Sequence, residues 1–228
     1  MTQLTRFVTT VCLILVAASA SSAVRSQPSP NPDVLDLAMR AVACATAGGD
    51  IERPPTLTLI DYSRPSTERR LWVLDLTTGQ TLFSELVAHG RNTGDNMATR
   101  FSDALESHQS SLGLFVARNT YVGSNGYSLR LDGLEPGFNG RARERAIVMH
   151  GAPYVDGAVA AKQGRLGRSW GCPAVREAVA RNIIDTVRDG GVIFSYYPDD
   201  TWLAQSRFLN CRHNELPSVR VASNRTTP

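Results

Sequence analysis

Residues 168–173 read Arg-Ser-Trp-Gly-Cys-Pro, which places a cysteine where a polar loop meets an apolar, helix-like pattern. Apolar residues recur at helical spacing from Ala174 to Arg188, and this spacing predicts a helix. Proline favours the first helical position, so Pro173 indicates that the helix begins immediately after Cys172. We therefore expect the Cys172 thiol to lie at the N-terminal end of a helix.

A cysteine in this setting has the features of a nucleophile. The thiolate is the attacking species, and a free cysteine ionises only near pH ~8.5. The partial positive charge of a helix N-terminus and a nearby imidazolium would both lower the pKa of Cys172. Gly171 permits a sharp turn, and amide groups between Trp170 and Cys172 could donate to a developing oxyanion. The stretch therefore predicts covalent catalysis by Cys172 rather than a buried structural thiol.

A cysteine nucleophile needs a base, and histidine is the usual partner. His150 ends the apolar segment 146–149 and precedes Gly151, so its side chain is expected at the rim of the fold. We predict that His150 takes the proton of Cys172. A zinc site is the rival interpretation, but the separations among these residues match no compact ligand spacing, so we expect no metal and no cofactor. The histidines of the chain are His89, His108, His150 and His213.

Short β-like segments with frequent glycine and asparagine turns predict a mainly β fold, of sandwich or barrel type. An amphipathic pattern over 33–45 predicts an N-terminal helix, and residues 77–80 predict a hairpin turn. The predicted strands are 57–61, 71–76, 81–88, 112–117, 127–131, 146–149 and 192–197.

The ends of the chain suggest export. Residues 1–23 read as a signal peptide, because Arg6 precedes a short apolar run that ends in small residues; an uncleaved anchor is the alternative. Residues 24–32 form a Pro/Ser-rich linker, residues 33–215 the predicted catalytic domain, and residues 216–228 a flexible tail. We expect a periplasmic protein without a stable membrane span after signal cleavage. A formal net charge of +3 with no basic run argues against nucleic-acid binding.

Removal of the signal peptide leaves three cysteines, so at least one thiol has no partner within the chain. Cys44 and Cys211 lie near the two ends of the predicted domain, and a bridge between them would close a long loop. We hypothesise that they form a disulfide and that Cys172 stays free. The alternative is that all three cysteines are reduced.

The motifs Met149-His150-Gly151 and Ser169-Trp170-Gly171-Cys172 resemble the signature of L,D-transpeptidase (YkuD-like) catalytic domains. The likeness extends from about Leu57 to Tyr197, and segments 87–94 and 110–113 look like the strand and cleft segments of a divergent murein branch. The resemblance implies a mostly β fold in which Cys172 forms a thioester with a peptidoglycan stem peptide.

The resemblance also implies roles for other residues. Ser169, Trp170 and Gly171 would form the loop around the thiol, and a backbone carbonyl near Ser169 would orient His150. It implies that carbapenem β-lactams inhibit the protein covalently. The candidate substrate-binding residues are His89, Arg168, Gly151 and Ser111.

The sequence departs from the family pattern at two positions. Ala174 stands where many members have an arginine, and Trp170 replaces a common basic residue. Arg168 or Arg176 could supply the missing positive charge. Three other functions stay open: hydrolysis by an L,D-carboxypeptidase or amidase, non-catalytic peptidoglycan binding on the same scaffold, and zinc binding by an exported protein.

Overall fold

The structure is a computed structural model that describes residues 29–211. The predicted signal peptide, most of the predicted linker, His213 and the predicted tail lie outside the described residues. Between residues 29 and 211, no helix is both long enough and apolar enough to cross a bilayer.

One nine-stranded sheet forms the centre of the described chain, in the order β3-β2-β1-β9-β5-β6-β7-β8-β4, with four helices around it. The strands are β1 (Thr56–Asp61), β2 (Leu71–Asp75), β3 (Thr81–Glu85), β4 (Val87–Ala88), β5 (Gly113–Gly123), β6 (Gly126–Gly133), β7 (Val148–Gly151), β8 (Ala174–Val175) and β9 (Val192–Tyr196). The helices are α1 (Pro32–Ala47), α2 (Gly157–Gln163), α3 (Glu177–Val187) and α4 (Asp200–Gln205).

The sheet curls until its two edges approach each other. β3 and β4 lie at opposite ends of the strand order, yet only Leu86 separates them in the chain. Glu85 pairs with Leu71 on one edge, and Val87 pairs with Val175 on the other. The sheet is therefore nearly closed and barrel-like, which confirms the mainly β class. The prediction of one continuous strand over 81–88 is wrong, because the chain changes edges at Leu86.

The two larger helices cover different parts of the sheet. α1 buries Val34, Ala38 and Ala41 in a cluster with residues of β1 and β9. α3 buries Ile183 and Ile184 in a second cluster with residues of β7. The predicted N-terminal helix is confirmed; Pro32, placed in the predicted linker, is its first residue, and the Asn31 side chain caps it by accepting from the Asp33 amide.

The helix after Cys172 begins later than expected. Ala174–Val175 forms β8, which pairs with both β7 and β4, and α3 starts only at Glu177. The helical spacing of the apolar residues is real, but Ala174 and Val175 pair with strands on both sides and so are extended instead of helical. Cys172 therefore lies before a strand, and the expectation that it occupies a helix N-terminus is wrong.

Candidate functional site

The loop that carries the thiol is held by the side chain of Ser169. The Ser169 hydroxyl accepts from the Gly171 amide at 3.1 Å and donates to the Cys172 carbonyl at 2.6 Å. The backbone of Ser169 is itself fixed, because its amide donates to the His89 carbonyl at 3.0 Å and its carbonyl accepts from Arg91 at 2.8 Å. The turn before Cys172 is thus fixed to the segment after β4.

Gly171 is required by the shape of this turn. Its φ of +121° lies in a region that favours glycine. A Cβ at this position would stand 2.7 Å from the Gln109 carbonyl oxygen and 3.0 Å from Ile147 Cδ1. The Gly171 amide already donates to Ser169 Oγ. Among the described residues the amide of Trp170 has no acceptor, which leaves it free to donate to a substrate.

Cys172 is the free cysteine of the described residues, and it is 9% exposed. The Val148 amide approaches Sγ at 3.5 Å, and Sγ lies 3.8 Å from the Ala146 carbonyl oxygen. Burial raises the pKa of the Cys172 thiol, while the Val148 amide and the charge of Arg145 act against that rise. The resting group is therefore a thiol at neutral pH, and the expected lowering of its pKa by a helix dipole is wrong.

His150 lies within β7 and pairs with Ala174 of β8. Its Nδ1 is 2.9 Å from the Gly151 carbonyl oxygen. A carbonyl can only accept, so Nδ1 carries the hydrogen and Nε2 is left as the basic nitrogen. The orienting carbonyl belongs to Gly151, and the expectation of one near Ser169 is wrong. Burial lowers the pKa of His150, which keeps the imidazole neutral and able to accept a proton at neutral pH.

The pairing of β7 with β8 places the thiol and the imidazole on neighbouring segments. Cys172 comes two residues before Ala174, and its sulfur lies against Val148, two residues before His150. Strands are ~4.8 Å apart and rise ~3.3 Å per residue, so the two Cα atoms lie about 8 Å apart. Both groups are neutral at rest, so forming a thiolate at neutral pH would require transfer of the thiol proton to a base.

Trp170 lies on the surface beside the thiol. Its relative exposure is 68%, and its ring stacks on His108 with 5.0 Å between ring centroids. Large aromatic side chains normally bury most of their surface, so an exposed one next to a reactive group indicates a contact surface for a ligand. Trp170 is therefore not a core residue, and its part as a wall of the site stays a prediction.

Three of the candidate substrate-binding residues are occupied by internal contacts. His89 is 1% exposed, and its Nδ1 lies 2.7 Å from Arg70 Nη2. Burial and the Arg70 charge lower the pKa of His89 to about 4, so Nδ1 accepts from Arg70 and Nε2–H donates to the Gly94 carbonyl at 3.2 Å. Ser111 is 4% exposed, and Gly151 lies so close to α3 that a Cβ would meet Ala180 Cβ at 2.9 Å. In this structure His89 and Ser111 are buried and Gly151 packs against α3, and a part for these three residues in substrate binding stays a prediction.

The two arginines expected to replace the missing charge are paired elsewhere. Arg168 donates to Asp95 Oδ1 at 2.9 Å and to the Gly94 carbonyl at 3.0 Å. Arg176 forms a two-pronged ion pair with Glu85, at 2.8 and 2.6 Å. Arg168 braces the loop after His89, and Arg176 joins the two edges of the sheet. Both guanidiniums are thus already paired with carboxylates, and a part for Arg168 in substrate binding stays a prediction.

The sequence interpretation missed Arg145. Its side chain is 3% exposed, and its charge acts on the Cys172 thiol. In the sequence Arg145 is one of three arginines in the stretch 141–145, which resembles a solvated charged run. Its position directly before the strand of His150 was the only available signal, and it did not distinguish Arg145 from Arg141 or Arg143.

The cysteines near the two ends of the described chain form a disulfide. Cys44 and Cys211 are bonded, with 6.2 Å between their Cα atoms. Cys44 lies in α1, and Cys211 follows α4, so the bridge ties the first helix to the segment after the last. From residue 29 to residue 211, no three His, Cys, Asp or Glu side chains converge on a position where they could hold a metal ion.

A family model described as "L,D-transpeptidase catalytic domain" (YkuD_2) matches residues 26–196. The search of curated proteins finds no match.

Solved structures with a similar fold include an L,D-transpeptidase from Mycobacterium smegmatis, at 15% identity and a TM-score of 0.41, covering 63% of this chain and 59% of that one. Another is an L,D-transpeptidase from Stackebrandtia nassauensis, at 13% identity and a TM-score of 0.39, covering 72% and 65%. A third is the LD transpeptidase LdtMt1 in complex with imipenem, at 17% identity and a TM-score of 0.38, covering 62% and 58%. The chain thus spans less than two thirds of each of these proteins.

The family model covers most of the chain and includes the histidine strand, the thiol loop and the strand that follows it. The nearly closed sheet around these elements agrees with that match. The chain therefore belongs to the L,D-transpeptidase catalytic domain family.

Proposed function

We propose that this protein is a cysteine-dependent L,D-transpeptidase that acts on peptidoglycan stem peptides. The observation that carries the proposal is the placement of the free thiol of Cys172 against the strand that holds His150. The imidazole is neutral, and its Nδ1 is committed to the Gly151 carbonyl, so Nε2 is available as a base. Membership of the L,D-transpeptidase family supports the choice of substrate.

The chemistry follows from the resting states of the two groups. His150 Nε2 takes the proton of Cys172 as the sulfur attacks the carbonyl carbon of an L-to-D peptide bond. The oxyanion that forms accepts a hydrogen bond from the Trp170 amide. The tetrahedral intermediate then collapses, the C–N bond breaks, and the leaving amine takes the proton from His150. An acceptor amine gives a proton to His150 as it attacks the thioester, and the thiol is restored.

The proposed site of action is the periplasm, reached through the predicted signal peptide. A structural disulfide forms and persists in oxidising compartments outside the cytoplasm, and the Cys44–Cys211 bridge supports export on that ground.

Incubation with imipenem, followed by intact-mass measurement, tests the nucleophile. Attack by sulfur on the lactam carbonyl opens the ring without a leaving group, so the protein should gain the full mass of the drug. Peptide mapping should place the adduct on Cys172, because Cys44 and Cys211 are joined. The variant Cys172→Ala, which keeps the bridge, should gain no mass. An adduct on another residue, or none on the wild-type chain, contradicts the proposal.

Purified sacculi test the reaction itself. Wild-type protein should yield crosslinked dimers, whereas trimmed monomers alone would identify water as the acceptor and the protein as a hydrolase. Turnover by Cys172→Ala would reject the covalent mechanism.

Replacing Trp170 by alanine should weaken the binding of a stem-peptide donor by roughly tenfold, which corresponds to about 1.4 kcal/mol of lost contact. The rate of acylation at saturating donor should change much less, because the ring touches the ligand and not the reacting atoms. Trp72 and Trp202 are fully buried, so acrylamide quenching of the wild-type fluorescence reports mainly on Trp170. Trp170→Phe is the matched control and should keep most of the affinity. Equal affinity in Trp170→Ala would show that the ring takes no part.

A further inference from the structure

The thiol of Cys172 needs a source of positive charge that the fold does not provide in the expected places. No helix begins at Cys172, and Arg168 and Arg176 are paired with Asp95 and Glu85. A negative charge that develops on a buried sulfur during attack costs free energy unless a cation or hydrogen-bond donors lie nearby.

The ionisable groups around the sulfur come from several elements. Tyr62 follows β1 and Tyr154 follows β7; the pKa of each phenol is raised to about 12 by burial, with a further rise from the Cys172 charge, so both stay neutral. His150, two residues along β7 from Val148, is neutral at pH 7. Arg145, in the turn before β7, is the remaining group that faces the thiol, and it carries a positive charge.

Arg145 is held by a dense set of acceptors. One guanidinium nitrogen donates to the Ser102 carbonyl at 2.7 Å and to Ser111 Oγ at 2.5 Å. The other donates to Ser107 Oγ at 3.0 Å and to the Gln109 carbonyl at 2.6 Å. The guanidinium therefore binds the segment 102–111 through four hydrogen bonds. The planar, multidentate guanidinium is better suited to this geometry than the ammonium of a lysine.

The same guanidinium reaches the turn before the thiol. A Cβ on Gly171 would lie 3.3 Å from Arg145 Nη2 and 2.7 Å from the Gln109 carbonyl that Arg145 binds. Next in the chain, Ala146 adopts a φ of +52°, and its carbonyl oxygen is 3.8 Å from the sulfur. Strained non-glycine residues of this kind persist only where the surroundings enforce them. Arg145 thus lies beside the Gly171 turn and directly precedes the residue whose carbonyl approaches the sulfur.

The charge of Arg145 is only partly balanced. Its sole carboxylate neighbour among the described residues is Asp103, at 3.9 Å, and that carboxylate also accepts the Arg141 amide at 3.1 Å. Burial raises the pKa of Asp103, while the Arg141 amide and the charge of Arg145 act against that rise. Arg145 is therefore a buried cation whose carboxylate partner among the described residues is shared with the Arg141 amide.

We propose that Arg145 is a positioning residue for the Cys172 nucleophile, in that it clamps the 102–111 segment under the Gly171 turn and supplies the cation that faces the sulfur. This inference rests on the proposed function, because it assigns Arg145 to the same site. Arg145 acts through Cys172 and is not itself expected to touch the substrate.

The test is the pH dependence of Cys172 alkylation by iodoacetamide, measured without substrate and located by peptide mapping. Arg145→Met removes the charge and should move the alkylation midpoint up by about one pH unit. Asp103→Asn removes the partial balance and should move it down. Arg141→Met is the matched control, since Arg141 lies in the same turn, is half exposed and pairs with Glu144; it should leave the midpoint in place.

Arg145→Lys separates charge from clamping. It should keep a midpoint close to that of the wild type, yet acylation by imipenem should slow at least tenfold, because an ammonium cannot bind four acceptors in one plane. If Arg145→Met fails to fold, Asp103→Asn and Arg145→Lys still decide the matter. An unchanged or raised midpoint in Asp103→Asn, or imipenem acylation at the wild-type rate in Arg145→Lys, overturns the proposal.

Failure of this inference can be told apart from failure of the proposed function. If wild-type protein forms no imipenem adduct, the transpeptidase proposal fails, while the shifts in alkylation midpoint still report on Arg145. If the adduct forms but neither Arg145→Met nor Asp103→Asn shifts the pH midpoint of Cys172 alkylation, only the proposed role of Arg145 is rejected.

Discussion

His150→Gln should lower the rate of Cys172 acylation at pH 7 by roughly 10²–10⁴-fold. Burial raises the pKa of the thiol and lowers that of the imidazole, so the pair is neutral at rest and the wild-type reaction depends on proton transfer to His150. Glutamine keeps the size of the side chain but offers no base. The measurement is the rate of imipenem adduct formation, followed by intact-mass spectrometry of samples quenched at timed intervals.

The pH profile of the two proteins makes this prediction specific. In the wild-type protein acylation should fall as the pH drops through the pKa of His150, which burial places below the usual 6.5, because the protonated ring cannot accept. His150→Gln should lack this acidic limb. Its rate should instead climb with pH toward the raised pKa of Cys172, where hydroxide supplies the thiolate directly. A profile identical to that of the wild type would remove His150 from the mechanism.

Replacing both Cys44 and Cys211 by alanine should lower the free energy of unfolding by about 5 kcal/mol, the loop-closure value for a bridge that spans 167 residues. The bridge restrains α1 relative to the segment after α4, and both pack in the cluster around Trp202 and Phe208. Chemical denaturation with and without a reductant provides the measurement. The reductant should destabilise the wild-type protein and have no effect on the double variant.

Cys172→Ala is the matched control for the bridge, since it removes a cysteine without breaking the disulfide. Its stability should remain sensitive to reductant, as in the wild type. Alkylation of Cys44 in the unreduced protein would show that the bridge is absent and would contradict this prediction.

Much of the fold could be predicted from local patterns. Alternation and β-branched residues located every longer strand to within a few residues, although β5 (Gly113–Gly123) extends well beyond the predicted 112–117. Such patterns report which faces of a segment are apolar, and this property is encoded within a few residues. They cannot report where a strand changes partners, which is why the break at Leu86 between β3 and β4 was missed.

The candidate site likewise has features that local sequence predicted and features that only the fold revealed. The motifs around His150 and Cys172 could be predicted, because a few residues with strict geometric demands, such as Gly171, carry them. The substrate-binding assignments of His89, Ser111 and Gly151 could not be judged from the sequence, since each depends on burial by distant segments.

The sequence by itself determined the family, the mainly β class, the cysteine and histidine that are candidates for catalysis, and the pairing hypothesis for Cys44 and Cys211. The tertiary structure alone decided that Cys172 precedes a strand and not a helix, because β4 and β7 compete with helix formation for Ala174 and Val175. It also set Arg145 apart from Arg141 and Arg143, because its side chain alone of the three is buried and bound to the segment 102–111. The effect of one charged group on another depends on their distance and burial in the folded chain, and neither can be obtained from the local sequence.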